Sequence, residues 1–192
     1  MDRNNDLFWE LVEPEHLKLR AYCRKLLGNR EDGDDLYQDA LVSALAGFDD
    51  LRQLEAIRPW LYRIVINTYK NRMRRPWWRR LTSLGAEMET TLAGENPVKV
   101  QAARRRLETA FRVLSPDDRT LVTLFELQGW RLAELADLTG RSEGSLKTRL
   151  SRARGKMRNA LGQYLKSSAP SQLVKSISSE DEICVVTKPG KD

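Results

Sequence analysis

Four clusters of residues in this chain have types and spacings suited to chemistry or to binding. Asp35 and Asp39 stand four apart, with Gln38 between them. On a helix that spacing makes the two carboxylates neighbours on one face. Paired carboxylates can hold a divalent metal for phosphoryl transfer. The chain supplies no further His and no strand-borne carboxylates to complete such a site. The face therefore reads as solvated or as a docking surface for a basic partner. In the second cluster, over 60–75, aromatics alternate with bases: Trp60, Tyr62, Arg63, Tyr69, Lys70, Arg72, Arg74 and Arg75, with Asn67 and Asn71 among them. Rings beside cations suit unpaired nucleic-acid bases, which stack while their phosphates are neutralised; Trp60 and Ile64 serve equally well in a core. The third, over 142–158, carries Lys147, Arg149, Arg152, Arg154, Lys156 and Arg158, with Ser142, Ser145, Thr148 and Ser151 between or before them. Long cationic donors on a helix can read base edges in a major groove. The fourth is His16 with Cys23, two turns apart on one helix face. Two ligands do not make a metal site, so both are read as structural. No catalytic residue, no metal-ligand set and no cofactor is assigned.

The elements that must position these groups are helical throughout. Residues 7–27 have helical apolar spacing. After a polar break at 28–33, a helix over 34–48 puts Leu36, Ala40, Leu41, Ala44, Leu45 and Phe48 on one side and Asp35, Gln38 and Asp39 on the other. A charged loop over 49–58 precedes Pro59, which suits a first helical turn, and the aromatic-basic helix runs to Arg75 before Pro76 stops it. Residues 81–99 read as a linker. Asn96-Pro97 and Ser115-Pro116-Asp117-Asp118 are both helix starts, with cap, Pro and early acids. Leu132, Leu135, Ala136 and Leu138 form an apolar stripe before Gly140, and Ser142 caps a second helix with apolar residues at Leu146, Leu150, Ala153, Met157 and Leu161. Helix, Gly-containing turn and one-sidedly cationic second helix make a helix-turn-helix. From Lys166 the periodicity is lost and the Ser-rich remainder reads as a flexible tail, with a small apolar patch over 183–186.

Composition agrees. The 192 residues carry 33 bases and 27 acids, a net charge of +6, which points to a polyanionic partner. The charge is sorted into blocks. Residues 28–50 hold seven acids against Arg30 alone, and 70–80 hold six bases and no acid. Sorting of this kind serves different partners. The polar, acidic opening is unlike a secretory leader, and no apolar run approaches the ~18 residues of a membrane span. Cys23 and Cys184 lie in unrelated contexts and imply no disulfide framework. A cytoplasmic protein without membrane insertion is expected.

Two blocks in fixed order carry a family resemblance. DDLYQDALVSAL (34–45) followed by RPWLYRIVINTYKNRMRR (58–75) resembles region two of bacterial RNA polymerase sigma factors. LSPDDRTLVTLFELQGWRLAELADLTGRSEGSLKTRLSRARGKMRNAL (114–161) resembles region four. Together, with no third domain between, they are similar to the extracytoplasmic-function (ECF) group of the sigma-70 family. The resemblance spans about residues 7–165. It implies an all-α fold of two small helical domains, region two over 1–80 and region four over 100–165, joined by a flexible linker over 81–99 and followed by a tail over 166–192.

The resemblance also implies roles. Asp35, Gln38 and Asp39 match positions that dock on the clamp helices of the polymerase's largest subunit; the polymerase flap is a further partner surface the resemblance implies. Leu51, Arg52, Gln53, Trp60, Arg63, Asn67, Lys70, Asn71, Arg74 and Arg75 stand where the minus-ten element is read and opened. Ser142, Ser145, Lys147, Thr148, Arg149, Ser151 and Arg152 match the minus-thirty-five reading positions. Elements roughly 17 base pairs apart lie about 58 Å apart along the duplex at ~3.4 Å per pair, and a stretched 81–99 segment spans at most about 65 Å. An anti-sigma partner is expected of the family. The other reading is a helix-turn-helix regulator that does not act as a sigma subunit. No role is assigned to Trp77 and Trp78.

Overall fold

The computed structural model describes residues 3–75 and 97–168, and among these every regular element is a helix. Of the expected linker over 81–99, residues 97–99 already belong to a helix that starts at Pro97, while residues 81–96, Trp77, Trp78 and the tail beyond Ser168 lie outside the described residues. Helix α1 is Arg3–Leu27, with Pro14 inside it. Its face of Phe8, Val12, Leu19, Tyr22, Cys23 and Leu26 is fully buried. Helix α2 is Arg30–Ala46. It starts four residues before the expected position, because Asn29 is its N-cap and accepts the Asp32 amide at 2.7 Å. The "polar break" thus contains a buried glycine. A Cβ on Gly33 would meet the Arg24 Cα at 2.4 Å, so this glycine permits close contact of α1 and α2. Two 3₁₀ turns, Phe48–Asp50 and Leu54–Ala56, lead into α3, Ile57–Arg74.

The C-terminal half contains α4 (Pro97–Arg112), α5 (Pro116–Val122, continued by a π-helical turn, Thr123–Leu127), α6 (Leu132–Thr139) and α7 (Glu143–Ser168). The expected caps are present. Ser115 Oγ accepts the Asp118 amide at 3.1 Å, and Ser142 Oγ accepts the Ser145 amide at 3.3 Å. The Glu134 carboxylate accepts the Arg131 amide at 2.7 Å and closes the start of α6. Gly140, at φ +66°, ends α6 in the left-handed conformation that turns the chain into α7. The two helices pack through Leu135 and Leu138 against Leu146, Leu150 and Ala153, all buried. Helix α7 includes residues 166–168, the expected start of the tail.

The two halves are in contact. Trp130, in the segment before α6, is 4% exposed and sits edge-on to Tyr62 of α3 at 4.8 Å between ring centroids. The Arg58 guanidinium lies 4.6 Å over the same indole, between Glu15 at 3.7 Å and Glu134 at 3.9 Å. Lys25 of α1 donates to the Leu127 carbonyl at 3.4 Å. One apolar cluster therefore runs from α1 to α7.

Candidate docking and nucleic-acid interfaces

On α2, the residues that alternate with the core set decide what a partner would meet. Leu36, Tyr37, Ala40 and Ala44 are buried, while Asp35, Gln38 and Asp39 are exposed. The structure adds two apolar residues to that face. Val42 is 69% exposed and Leu45 is 41% exposed, so Leu45 does not belong to the core side where its spacing had placed it. Positions 35, 38, 42 and 45, at steps of 3, 4 and 3, make one stripe with an acidic N-terminal part and an apolar C-terminal part. That second stripe was readable in the sequence, but the wider core stripe masked it. Asp39 also lies 3.7 Å from Arg72 of α3. The helix is anchored from behind: Asp34 accepts bidentate pairs from both Arg20 and Arg24 at 2.7–2.8 Å. The Arg24 and Arg20 hydrogen bonds hold its carboxyl well below the usual carboxylate range, against a smaller opposing effect of burial. His16 is hydrogen-bonded to the Tyr37 hydroxyl, a structural role.

The minus-ten set divides. Arg52 and Gln53 are exposed in the loop between the two 3₁₀ turns, and Leu51 is half-buried against the core. On α3, Arg63, Asn67, Asn71 and Arg74 are exposed, as is Arg75 just beyond its end. The aromatic platform is largely absent from this surface. Tyr62 and Tyr69 are core residues, and Trp60 is half-buried with its ring 6.4 Å from Phe48. Burial pushes the Tyr62 hydroxyl up to about 12. Three residues of the set line a cleft of about 440 Å³ against the C-terminal half. Lys70 pairs with Asp117 at 2.6 Å, Arg63 donates to the Asp137 carbonyl at 3.4 Å, and Asn67 lies between them.

The minus-thirty-five set is more uniform. Ser142, Ser145, Lys147, Thr148, Ser151 and Arg152 are exposed on the side of α7 opposite Leu146, Leu150 and Ala153. Arg149 differs: its side chain turns inward to Asp118 at 2.7 Å and lies 3.5 Å from Asp117. Lys156 reaches the other Asp118 oxygen at 3.2 Å. Burial raises the Asp118 carboxyl, but hydrogen bonds from Arg149, Ser115 and Lys156 outweigh it and hold the group below its ordinary value. Asp117 is likewise held low, by Lys70 and Arg149 against burial. Sequence reasoning missed Asp117 and Trp130 as contact residues. Both sit in ordinary helix-start or pre-helix positions, and no local signal marks what lies across the fold.

The comparisons with known proteins come to the same two blocks. The Sigma-70 region 2 family model matches residues 11–79, and the Sigma-70, region 4 model matches residues 104–157. The ECF RNA polymerase sigma factor SigM of Mycobacterium tuberculosis is 32% identical over 161 residues, which cover 81% of this chain and 77% of that protein. The RNA polymerase sigma-E factor of Streptomyces avermitilis is 29% identical over 156 residues, covering 80% and 84%. Among solved structures, the sigma factor RpoE of Bartonella quintana, in complex with the anti-sigma factor NepR, has a similar fold with TM-score 0.58, 24% identity and coverage of 80% and 98%. CnrH, in complex with the cytosolic domain of CnrY, gives TM-score 0.57, 23% identity and coverage of 87% and 92%. The two matched regions in this order, on an all-helical chain, place the protein in the sigma-70 family, as a member of the ECF group of RNA polymerase sigma factors.

Proposed function

We propose that this sigma factor docks on the clamp helices of the largest polymerase subunit through the α2 stripe of Asp35, Gln38, Asp39, Val42 and Leu45. The loop over 51–53 and the outer face of α3 then hold the opened minus-ten strand, and α7 reads the minus-thirty-five duplex. Region four meets the flap. The protein contributes no bond-making step. It acts in the cytoplasm by adding promoter choice to an enzyme that supplies the chemistry. The observation that carries this reading is the exposed α2 stripe, which combines carboxylates with apolar side chains on a helix braced from behind by Arg20 and Arg24. Carboxylates alone make a weak contact in water, whereas exposed apolar groups beside them give a docking helix its desolvated centre.

The closed arrangement has a mechanical consequence. Lys70 and Arg149, one from each DNA-facing set, both approach the Asp117 carboxylate. Promoter elements about 58 Å apart cannot meet two surfaces that touch each other. The halves must separate before both elements are held, and polymerase docking provides the energy. An anti-sigma partner that stabilises the closed arrangement would keep the factor inactive. The docking assignment is tested by measuring affinity for purified core polymerase. Asp35→Lys with Asp39→Lys is expected to weaken binding at least tenfold, and Val42→Asp to do the same. Undiminished binding by both variants would overturn the assignment.

A further inference from the structure

The cationic side of α7 carries six bases, and the fold uses three of them internally. Arg149 donates to one Asp118 oxygen at 2.7 Å, and Lys156 donates to the other at 3.2 Å. Arg154 donates to Glu126 at 2.8 Å and lies 5.6 Å over the Phe125 ring. Lys147, Arg152 and Arg158 are exposed and make no ion pair among the described residues. The division follows the turn of the helix. Leu146, Leu150 and Ala153, with the partly buried Met157, mark the core side of α7. At ~100° per residue, Arg149 and Lys156 fall about 80° to one side of that stripe and Arg154 about 70° to the other. Both acids belong to one element, α5 with its π-helical continuation. Helix α7 is therefore gripped by that element on both flanks of its buried stripe.

Asp118 is itself fixed before it meets α7. It is 7% exposed, and its amide donates to Ser115 Oγ at 3.1 Å in the N-cap of α5. One buried carboxylate that gathers two cations from positions ~10.5 Å apart along α7 sets both the rotation and the axial register of that helix. A reading helix needs this, because its side chains must stay within about 10–20° of the productive geometry. We propose that Asp118 and Glu126 are positioning residues for minus-thirty-five recognition. Arg149, Lys156 and Arg154 are their grips on α7, while Lys147, Arg152 and Arg158 are the cations left for DNA. The proposal rests on the reading of α7 as the minus-thirty-five helix, and it takes Arg149 out of the set that touches the duplex. At ~0.9 per phosphate, the bases of α7 then add about 2.7 rather than about 5.4 to the salt dependence of binding.

The test uses holoenzyme assembled from the full-length chain and core polymerase. Two promoter fragments serve as probes: one found by run-off transcription, and the same fragment with its minus-thirty-five element replaced. The ratio of their affinities reads discrimination by α7, and the salt dependence reads phosphate contacts. Asp118→Asn is expected to lower the ratio about tenfold, the scale of one lost base contact, without lowering affinity for the replaced fragment. Glu126→Gln breaks an exposed pair that the fold does not depend on, and should lower the ratio in the same direction by several-fold. Arg149→Gln should match Asp118→Asn and leave the salt slope unchanged. The two substitutions together should cost no more than about twofold beyond either alone, because they break the same bracket. Loss of about one unit of slope in Arg149→Gln, or additive losses in the double variant, would show that Arg149 touches DNA and would overturn the proposal. Undiminished discrimination by both Asp118→Asn and Glu126→Gln would overturn it as well. Unaltered holoenzyme that does not distinguish the two fragments would instead overturn the reading of α7, and the proposal with it.

Discussion

Trp130→Ala should open the molecule. The indole is 4% exposed, packs on Tyr62 at 4.8 Å and carries the Arg58 cation at 4.6 Å, and both of those partners belong to the N-terminal half. Truncating a buried aromatic anchor of this kind costs about 2–4 kcal/mol of contact free energy. At ~1.4 kcal/mol per tenfold, the closed-to-open ratio falls by roughly 30- to 700-fold. The Lys70–Asp117 pair is partly exposed and adds only about 0.2–1 kcal/mol, so Asp117→Asn should shift the ratio by about 1.4- to 5-fold. Small-angle X-ray scattering of the free protein reads the change. A compact chain of this length has a radius of gyration near 16 Å, and separated halves should raise it above about 20 Å. Affinity for duplex DNA should rise with the open fraction, because a binding-competent state populated at fraction f weakens apparent affinity by 1/f. Asp118→Asn is the control, since it disturbs the C-terminal half through Arg149 and Lys156 but leaves Lys70 paired. A Trp130→Ala protein with wild-type helicity and unchanged radius of gyration would refute the idea that this contact holds the halves together.

Three other perturbations follow from the same structure. Gly33→Ala inserts a methyl group 2.4 Å from the Arg24 Cα, and should lower thermal stability by about 1–3 kcal/mol while displacing the α2 docking face. Asp34, Asp117 and Asp118 all have lowered folded-state pKa values. Their contribution is fully present above the ordinary carboxylate pKa of ~3.9 and is lost as pH falls below it. Chemical denaturation from pH 7 to pH 3 should therefore show stability declining below about pH 4, and Asp34→Asn should flatten that decline. Lys147→Ala and Arg152→Ala, both on the exposed face of α7, should each cost about 1–3 kcal/mol in binding a minus-thirty-five duplex if the side chain reads a base. A residue that contacts phosphate alone should weaken all sequences alike and reduce the salt dependence by about one unit of slope.

Helix spacing made most of the architecture legible. The caps at Ser115 and Ser142, the αL glycine at 140 and the core residues Leu135, Leu138, Leu146 and Leu150 all stand where local rules place them, because each depends on residues within a few positions of itself. Gly33 misled for the same reason: a glycine read locally is a breaker, and only the neighbouring helix shows that it is a contact point. Leu45 falls on the apolar side by spacing yet is 41% exposed, because periodicity identifies an apolar stripe without saying what covers it. Tyr62 and Tyr69 form core rather than a stacking surface, and Lys70, Arg63 and Arg149 engage acids or carbonyls of the fold. Those partners are set by tertiary contacts between distant segments, which no spacing in the sequence encodes.

The most direct measurement is run-off transcription with purified core polymerase and the source organism's own upstream fragments. The account predicts specific transcripts that appear only when this protein is added, and their loss when Asp35→Lys and Asp39→Lys replace the α2 carboxylates. Transcripts of undiminished yield from that variant, or none from the unaltered protein although it binds core polymerase, would contradict it.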